Sequence, residues 1–245
     1  MVNSKWNLVY CFSKKLASST ERFNYALSCL KKSIETNSKF HTIKLYTDTT
    51  TISYLDDIQV EKEILNFDDF KFLDDIKIET LPKLKENDIL IDIDIFLGKA
   101  LEINLNSDVV LDRPSYVTES YYRTEIERSL QYEFSKLLNY NPKKNEIGNI
   151  GIMKFVNKEL EKKYINFYTK IKENTLNESK ELPPFPAFSV LIGQIGLKNV
   201  IDDNNYTISY ASKLDNNNYF HLAGDVKYKN IDFDKDLLRL NKTLI

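Results

Sequence analysis

Trp6-Asn-Leu-Val-Tyr-Cys-Phe12 is a short, nearly continuous apolar run, the pattern of a strand covered on both faces rather than one that turns a side to water. Outward from it the chain alternates. Ser18 and Glu21 have the spacing of a helix capping box, and Phe23, Ala26, Leu27, Leu30 and Ile34 then mark one face of a helix. A second strand is predicted over 42–47, ending in Tyr46-Thr47-Asp48. A third falls over 62–66, and a fourth over 88–93 after a helical stretch near 76–84. Strand and helix in repeated alternation predict an α/β fold, a central and mostly parallel sheet flanked by helices.

The second half is less regular. Ile126, Leu130, Phe134 and Leu137 trace one helix; Leu160, Tyr164, Phe167, Tyr168 and Ile171 trace another, and 149–155 between them reads as a strand. Leu182 to Pro186 reads as a loop, and Asn204-Asn205 and Asp215 to Asn218 as turns. No boundary interrupts the pattern, so residues 1–245 are expected to form a single domain.

Composition removes several function classes. With 34 basic and 36 acidic residues the net charge is -2. No global field then holds a nucleic acid or an anionic membrane, and an anion needs a local site. Short lysine pairs flanked by acids do not make a nucleic-acid patch. No apolar run approaches the length of a membrane span, and MVNSKWNLVYCFSKK lacks the pattern of a signal peptide; the expected setting is a reducing cytoplasm. The 2 cysteines, Cys11 and Cys29, have no metal-binding spacing, and 2 histidines exclude a multi-histidine zinc site. No glycine-rich phosphate loop, nucleophile elbow or His-Glu-x-x-His segment occurs.

The chemistry concentrates in Asp88-Ile-Leu-Ile-Asp92-Ile-Asp94-Ile-Phe-Leu97. Asp92 and Asp94 interrupt a run otherwise as apolar as a buried strand, and buried charges are paired or bound to metal. In an extended segment side chains at i and i+2 point the same way. The two carboxylates can therefore converge on one hard cation at the carboxyl end of a strand, where open α/β sheets bind ligands. The alternative is a pair of solvated carboxylates on an edge strand. Late in the chain stands Tyr219-Phe-His221-Leu-Ala-Gly224-Asp-Val-Lys227.

His-x-x-Gly-x-x-Lys together with an upstream Asp-x-Asp resembles the GT-A glycosyltransferases of the glycogenin and lipopolysaccharide galactosyltransferase group. The opening Trp-x-x-x-Tyr-Cys-Phe-Ser and the Tyr-Thr-Asp at 46–48 are also similar to an uncharacterised group of bacterial GT-A-like proteins. The resemblance implies that Asp92, Asp94 and His221 ligate Mn²⁺, with Mg²⁺ as the alternative, and that Gly224 and Lys227 contact the diphosphate of a UDP-sugar. It places Lys77 toward donor phosphate or sugar, and Gln194 beside the donor sugar with a catalytic role shared by Asp92 and Asp94. Asn149-Ile-Gly-Ile-Met153 is similar to the family's Asn-x-Gly-aliphatic strand. Ser13 and Asp48 fall at the expected nucleotide side; for Asp48, capping of a helix start is an equal alternative. An exposed helical lysine and a surface amide are the plain alternatives for Lys77 and Gln194. The implied activity is metal-dependent transfer of a sugar, with retention, to an unknown glycan, protein or small-molecule acceptor.

Departures from that pattern are present. Lys227 is followed by Tyr228-Lys229 instead of Pro-Trp, Gly193 stands where an Asp often precedes the donor-side Gln, and Phe12-Ser13 lacks the common nucleotide-contacting Asp. They leave open an inactive nucleotide-binding or scaffold protein. A sugar nucleotidyltransferase would normally carry a glycine-rich basic loop, where this chain has only Ser13-Lys14-Lys15.

Overall fold

The apolar run at the start becomes strand β1 (Asn7–Phe12), and the helical face that follows becomes α1 (Thr20–Asn37). A computed structural model of the chain describes residues 6–17, 19–66, 74–116, 146–178, 186–211 and 219–221. By contacts the chain divides into two units, one of residues 1–70, 79–103 and 211–245 and the other of 71–78 and 104–210.

In the first unit β1 lies between β2 (Thr42–Asp48) and a later strand, β4 (Asp88–Ile91), parallel to both. β3 (Glu61–Leu65) follows β2 in the chain and pairs parallel to its outer side. Leu8 stands opposite Ile43 on one side and Ile89 on the other. Leu8, Val9, Leu45, Ile89 and Leu90 are all at most 1% exposed, and burial of each such side chain contributes roughly 1.5–3 kcal/mol. These are the double-sided parallel strands that the composition of 6–12 predicts. Two buried ions cross the strand starts: Lys44 Nζ reaches Asp88 Oδ1 at 3.0 Å, and Asn7 Nδ2 donates to the same oxygen at 2.8 Å.

Two boundaries differ from expectation. The α1 N-cap is Ser19, whose hydroxyl accepts from the Arg22 N–H at 3.1 Å; the cap sits one residue after the predicted Ser18, itself outside the described residues. The fourth strand stops at Ile91 rather than continuing to 93. A turn closed by the Ile95 N–H on the Asp92 carbonyl (3.3 Å) then leads into β5 (Ile95–Leu97). β5 pairs antiparallel with β11 (Tyr219–His221).

The second unit carries β6 (Val109–Leu111), β7 (Pro114–Tyr116), β8 (Glu146–Gly148), β9 (Ile152–Phe155) and β10 (Ile208–Tyr210). β6 pairs parallel with β10 and antiparallel with β9, while β7 and β8 form an antiparallel pair. The strand predicted over 149–155 begins only at Ile152, because the Asn149 side chain accepts from the Gly151 N–H at 2.8 Å and holds a turn. The helical stretch near 76–84 resolves into α2 (Asp75–Thr80) and one 3-10 turn over Leu81–Lys83. α3 spans Lys158–Glu178 and buries Leu160, Tyr164, Tyr168 and Ile171 as predicted.

The helix α4 (Pro186–Asn204) carries Gln194 at 7% exposure, so that side chain is not the surface amide that was its plain alternative. Its two glycines mark close approach. A Cβ on Gly196 would stand 2.9 Å from the Phe167 ring of α3, and one on Gly193 would stand 3.0 Å from Asp74 Oδ2. The predicted helix through 126–137 and most of the Leu182–Pro186 loop lie outside the described residues. The fold class is that read from the sequence, α/β with a mostly parallel sheet and flanking helices. Among the described residues, no helix is long and apolar enough to cross a membrane.

Candidate metal centre

Asp92, Asp94 and His221 come together. His221 Nε2 lies 3.5 Å from Asp94 Oδ1 and 3.9 Å from Asp92 Oδ2, and one ligand atom from each residue falls within 4.8 Å of the others. The convergence is not achieved by alternation along a strand, as expected, because the two aspartates occupy the turn between β4 and β5. The turn brings them to the carboxyl end of β4, and β11 delivers His221 in register with Ile95, the residue after Asp94. Side-chain exposures of 5% for Asp94, 4% for His221 and 25% for Asp92 leave one side of the group open to solvent.

A hard divalent ion binds carboxylate oxygens and imidazole nitrogen at about 2.0–2.2 Å, so ligand atoms on one ion stand at most about 4.4 Å apart. The spacing found here fits such an ion after side-chain movements of a few tenths of an ångström. Two carboxylates favour a hard cation, and the imidazole shifts the preference from Mg²⁺ toward Mn²⁺.

Ser13 follows the carboxyl end of β1, which neighbours β4, and Asp48 ends β2 on the far side of β1 in the same parallel set. Asp48 is 1% exposed, and its carboxylate accepts from the Thr50 and Thr51 N–H groups at 2.8 and 3.1 Å and from the Thr51 hydroxyl at 2.8 Å. Burial alone would raise its pKa, but bonds from Ser13, Thr50 and Thr51 outweigh it and hold the group below the usual carboxylate range. Asp48 thus closes a turn with its own neighbours and is not a helix cap, since the 3-10 turn that follows (Ile52–Leu55) has Thr51 at its N-cap position.

Lys77 and Gln194 belong to the second unit. Lys77 is not the exposed helical lysine its position suggested: its side chain is 13% exposed and reaches Asp74 Oδ1 at 3.2 Å. Gln194 is 7% exposed within α4. Gly224 and Lys227 lie outside the described residues. Two further groups escaped the reading of the sequence. One is the set Tyr10, Ser33 and Asn37, all buried. The other is Asp74 and Asp75 with their lysines. The signal for the first was present, since Ser33 and Asn37 lie on the same face of α1 as Leu30 and Ile34.

Neither the family models nor the curated proteins compared with this chain match it. Among solved structures, the fold is similar to the glycosyltransferase GlyE of Streptococcus pneumoniae TIGR4. The TM-score is 0.51 at 12% identity, over 99% of this chain and 64% of that one. The chain therefore spans less than two thirds of GlyE. Lower scores relate it to the CTP:phosphocholine cytidylyltransferase LicC of the same species (0.44, 13% identity, 98% of this chain and 99% of that one). The bifunctional glycosyltransferase WbbM scores 0.42 at 13% identity, with 99% and 44% covered. At these identities the likeness defines a GT-A-like fold and no more.

Proposed function

We propose that the protein is a metal-dependent glycosyltransferase that takes a sugar from a nucleoside-diphosphate donor, with UDP favoured, and passes it to an acceptor with retention. The observation that carries the reading is the convergence of Asp92, Asp94 and His221 at a strand end in a fold similar to GlyE. In this reading the three side chains hold Mn²⁺, which supplies Lewis-acid charge for the diphosphate leaving group.

The chain's own groups do the rest. Lys227 and the Gly224 amide, from the resemblance, present positive potential where charge grows on the leaving group. Ser13 and Asp48 shape the nucleotide side, Asp48 through the rigid turn it closes. Lys77 and Gln194 are assigned to the donor phosphate and sugar, and the cytoplasm to the setting. The burial of Asp94 and His221 limits water around the cation and strengthens its field.

Calorimetry with the purified protein tests the reading. UDP should bind more tightly with Mn²⁺ than without it, and more tightly than UMP, and Mn²⁺ should raise the melting temperature by mass action. Slow Mn²⁺-dependent hydrolysis of a UDP-sugar should accompany binding. Equal affinity for UMP and UDP would remove the diphosphate assignment, and binding without hydrolysis would favour a scaffold.

A further inference from the structure

Three fully buried polar side chains surround the segment that carries the candidate ligands. Tyr10 of β1 and Ser33 and Asn37 of α1 are each 0% exposed. The Asn37 amide takes two backbone groups on one edge of β5. Its Nδ2 donates to the Ile95 carbonyl at 2.9 Å, and its Oδ1 accepts from the Leu97 N–H at 2.8 Å. A strand turns the C=O of one residue and the N–H of the second after it to the same edge, so one side chain stands in for a neighbouring strand. Phe96 is left to serve β11 on the other edge, where it pairs with Phe220.

Ser33 Oγ donates to the same Ile95 carbonyl at 2.5 Å. With that proton committed, the Tyr10 hydroxyl, 2.8 Å away, donates to Ser33 Oγ and accepts from Asn37 Nδ2 at 2.6 Å. Burial raises the Tyr10 phenol far above its ordinary pKa, against the opposing effect of Ser33 and Asn37, so it stays a neutral donor. The Leu101 N–H, four residues beyond β5, is held in the same way by His41 Nε2 at 2.8 Å.

Ile95 is the common point. Its N–H bonds the carbonyl of Asp92, its chain neighbour is Asp94, and its strand partner is His221. All three candidate ligands are therefore tied to the residue whose carbonyl Ser33 and Asn37 grip. We infer that Tyr10, Ser33 and Asn37 are positioning residues for the metal centre: they fix the height and tilt of β5, and so the spacing of Asp92, Asp94 and His221. Buried polar groups without partners are costly, so the network has one low-energy arrangement. The inference rests on the metal reading of the site.

The test measures Mn²⁺ affinity, by electron paramagnetic resonance of free Mn²⁺, in the wild type and in Ser33→Ala, Asn37→Ala and Tyr10→Phe, with a thermal melt for each. Groups that orient metal ligands typically contribute about 10- to 100-fold in affinity. Ser33→Ala and Asn37→Ala should weaken Mn²⁺ binding by about that range while the protein remains folded. Tyr10→Phe keeps both contacts to Ile95 and should lower the melting temperature with an affinity change of less than about threefold. A purely structural network would lower all three melting temperatures and leave affinity untouched, and an affinity within twofold of wild type in a folded Ser33→Ala or Asn37→Ala protein overturns the inference. If Asn37→Ala does not fold, Ser33→Ala decides. A wild type that binds no Mn²⁺ overturns the metal reading itself and this inference with it.

Discussion

Each unit contains a close pair of aspartates, and the two pairs are used in opposite ways. In the first unit Asp92 and Asp94 are separated by one residue, sit on a turn and converge on a single imidazole. In the second, Asp74 and Asp75 are adjacent and diverge. Asp74 takes Lys77 at 3.2 Å, while Asp75 takes Lys172 at 2.8 Å and the Tyr168 hydroxyl at 3.1 Å. The second arrangement is balanced, two carboxylates against two ammonium groups in a buried setting. The first gathers two negative charges around one weak base, the arrangement that the proposed divalent cation would complete. Sequence spacing alone does not separate these outcomes. What separates them is whether the neighbouring elements bring cations of the chain's own, as α3 does with Lys172, or bring an imidazole, as β11 does with His221.

The largest effect should come from Asp94→Asn. The change keeps shape and removes one anionic ligand, so Mn²⁺ binding and any Mn²⁺-dependent turnover should fall below detection. The fold should persist, because repulsion between Asp92 and Asp94 is relieved in the metal-free protein. Calorimetry and a thermal melt check both halves. The converse change is Asp75→Ala, which removes the carboxylate that Lys172 and the Tyr168 hydroxyl both contact. Breaking a buried pair costs about 3–5 kcal/mol, and urea unfolding should show a loss of that size with Mn²⁺ affinity unchanged. Joint replacement by apolar residues, Asp75→Leu with Lys172→Met, should recover most of it, since a buried pair and a well-packed apolar pair are often near parity.

Gly193→Ala should act on the second unit through packing. The new methyl meets Asp74 Oδ2 at 3.0 Å and Ile150 Cδ1 and Tyr164 Oη at 3.3 Å. Overpacking of this kind typically costs about 1–3 kcal/mol, readable as a lowered urea midpoint without a change in Mn²⁺ affinity.

The smallest effect should be on pH dependence in the first unit. Burial lowers the His41 pKa below its ordinary 6.5, with the Trp6 carbonyl opposing. Above 6.5 the ring is neutral folded or unfolded and contributes no slope. As pH falls below 6.5 the unfolded chain takes up the proton first, and stability is lost until the folded pKa is passed. His41→Gln, which keeps an acceptor for the Leu101 N–H, should flatten the stability profile just below pH 6.5. Asp48 and Asp88 act lower. Burial would raise both, but hydrogen bonds outweigh it and hold them below the usual 3.8. Their contribution is complete above that value and lost as acid protonates the folded carboxylates.

The difference between the two units also explains what could be read in advance. β1, β2 and β4 were legible because a strand covered on both faces must be apolar at successive positions, and Leu8 to Tyr10 leave no other reading. The members of the Asp92, Asp94 and His221 cluster were legible as polar groups out of place, Asp92 and Asp94 within an apolar run and His221 among aromatics. Their geometry was not, because nothing in Asp92-Ile-Asp94 distinguishes an extended segment from the turn that ends β4. α4 was not read from the sequence, and Gly193 and Gly196 within it mark close approach to Asp74 and Phe167. Asn37 and Ser33 were passed over because helix periodicity scores a polar residue on an apolar face as an interruption. Their partners, Ile95 and Leu97, are distant in the chain (separations of 58, 60 and 62).

Trp6, the single tryptophan of the chain, lies 4% exposed just before β1, and its carbonyl holds His41. The first unit thus contains its own optical gauge. Native emission should be blue-shifted and should move to the red on solvent entry at the strand starts. Following that signal against far-ultraviolet dichroism would reveal whether the start of the parallel strands loosens ahead of the helices or together with them.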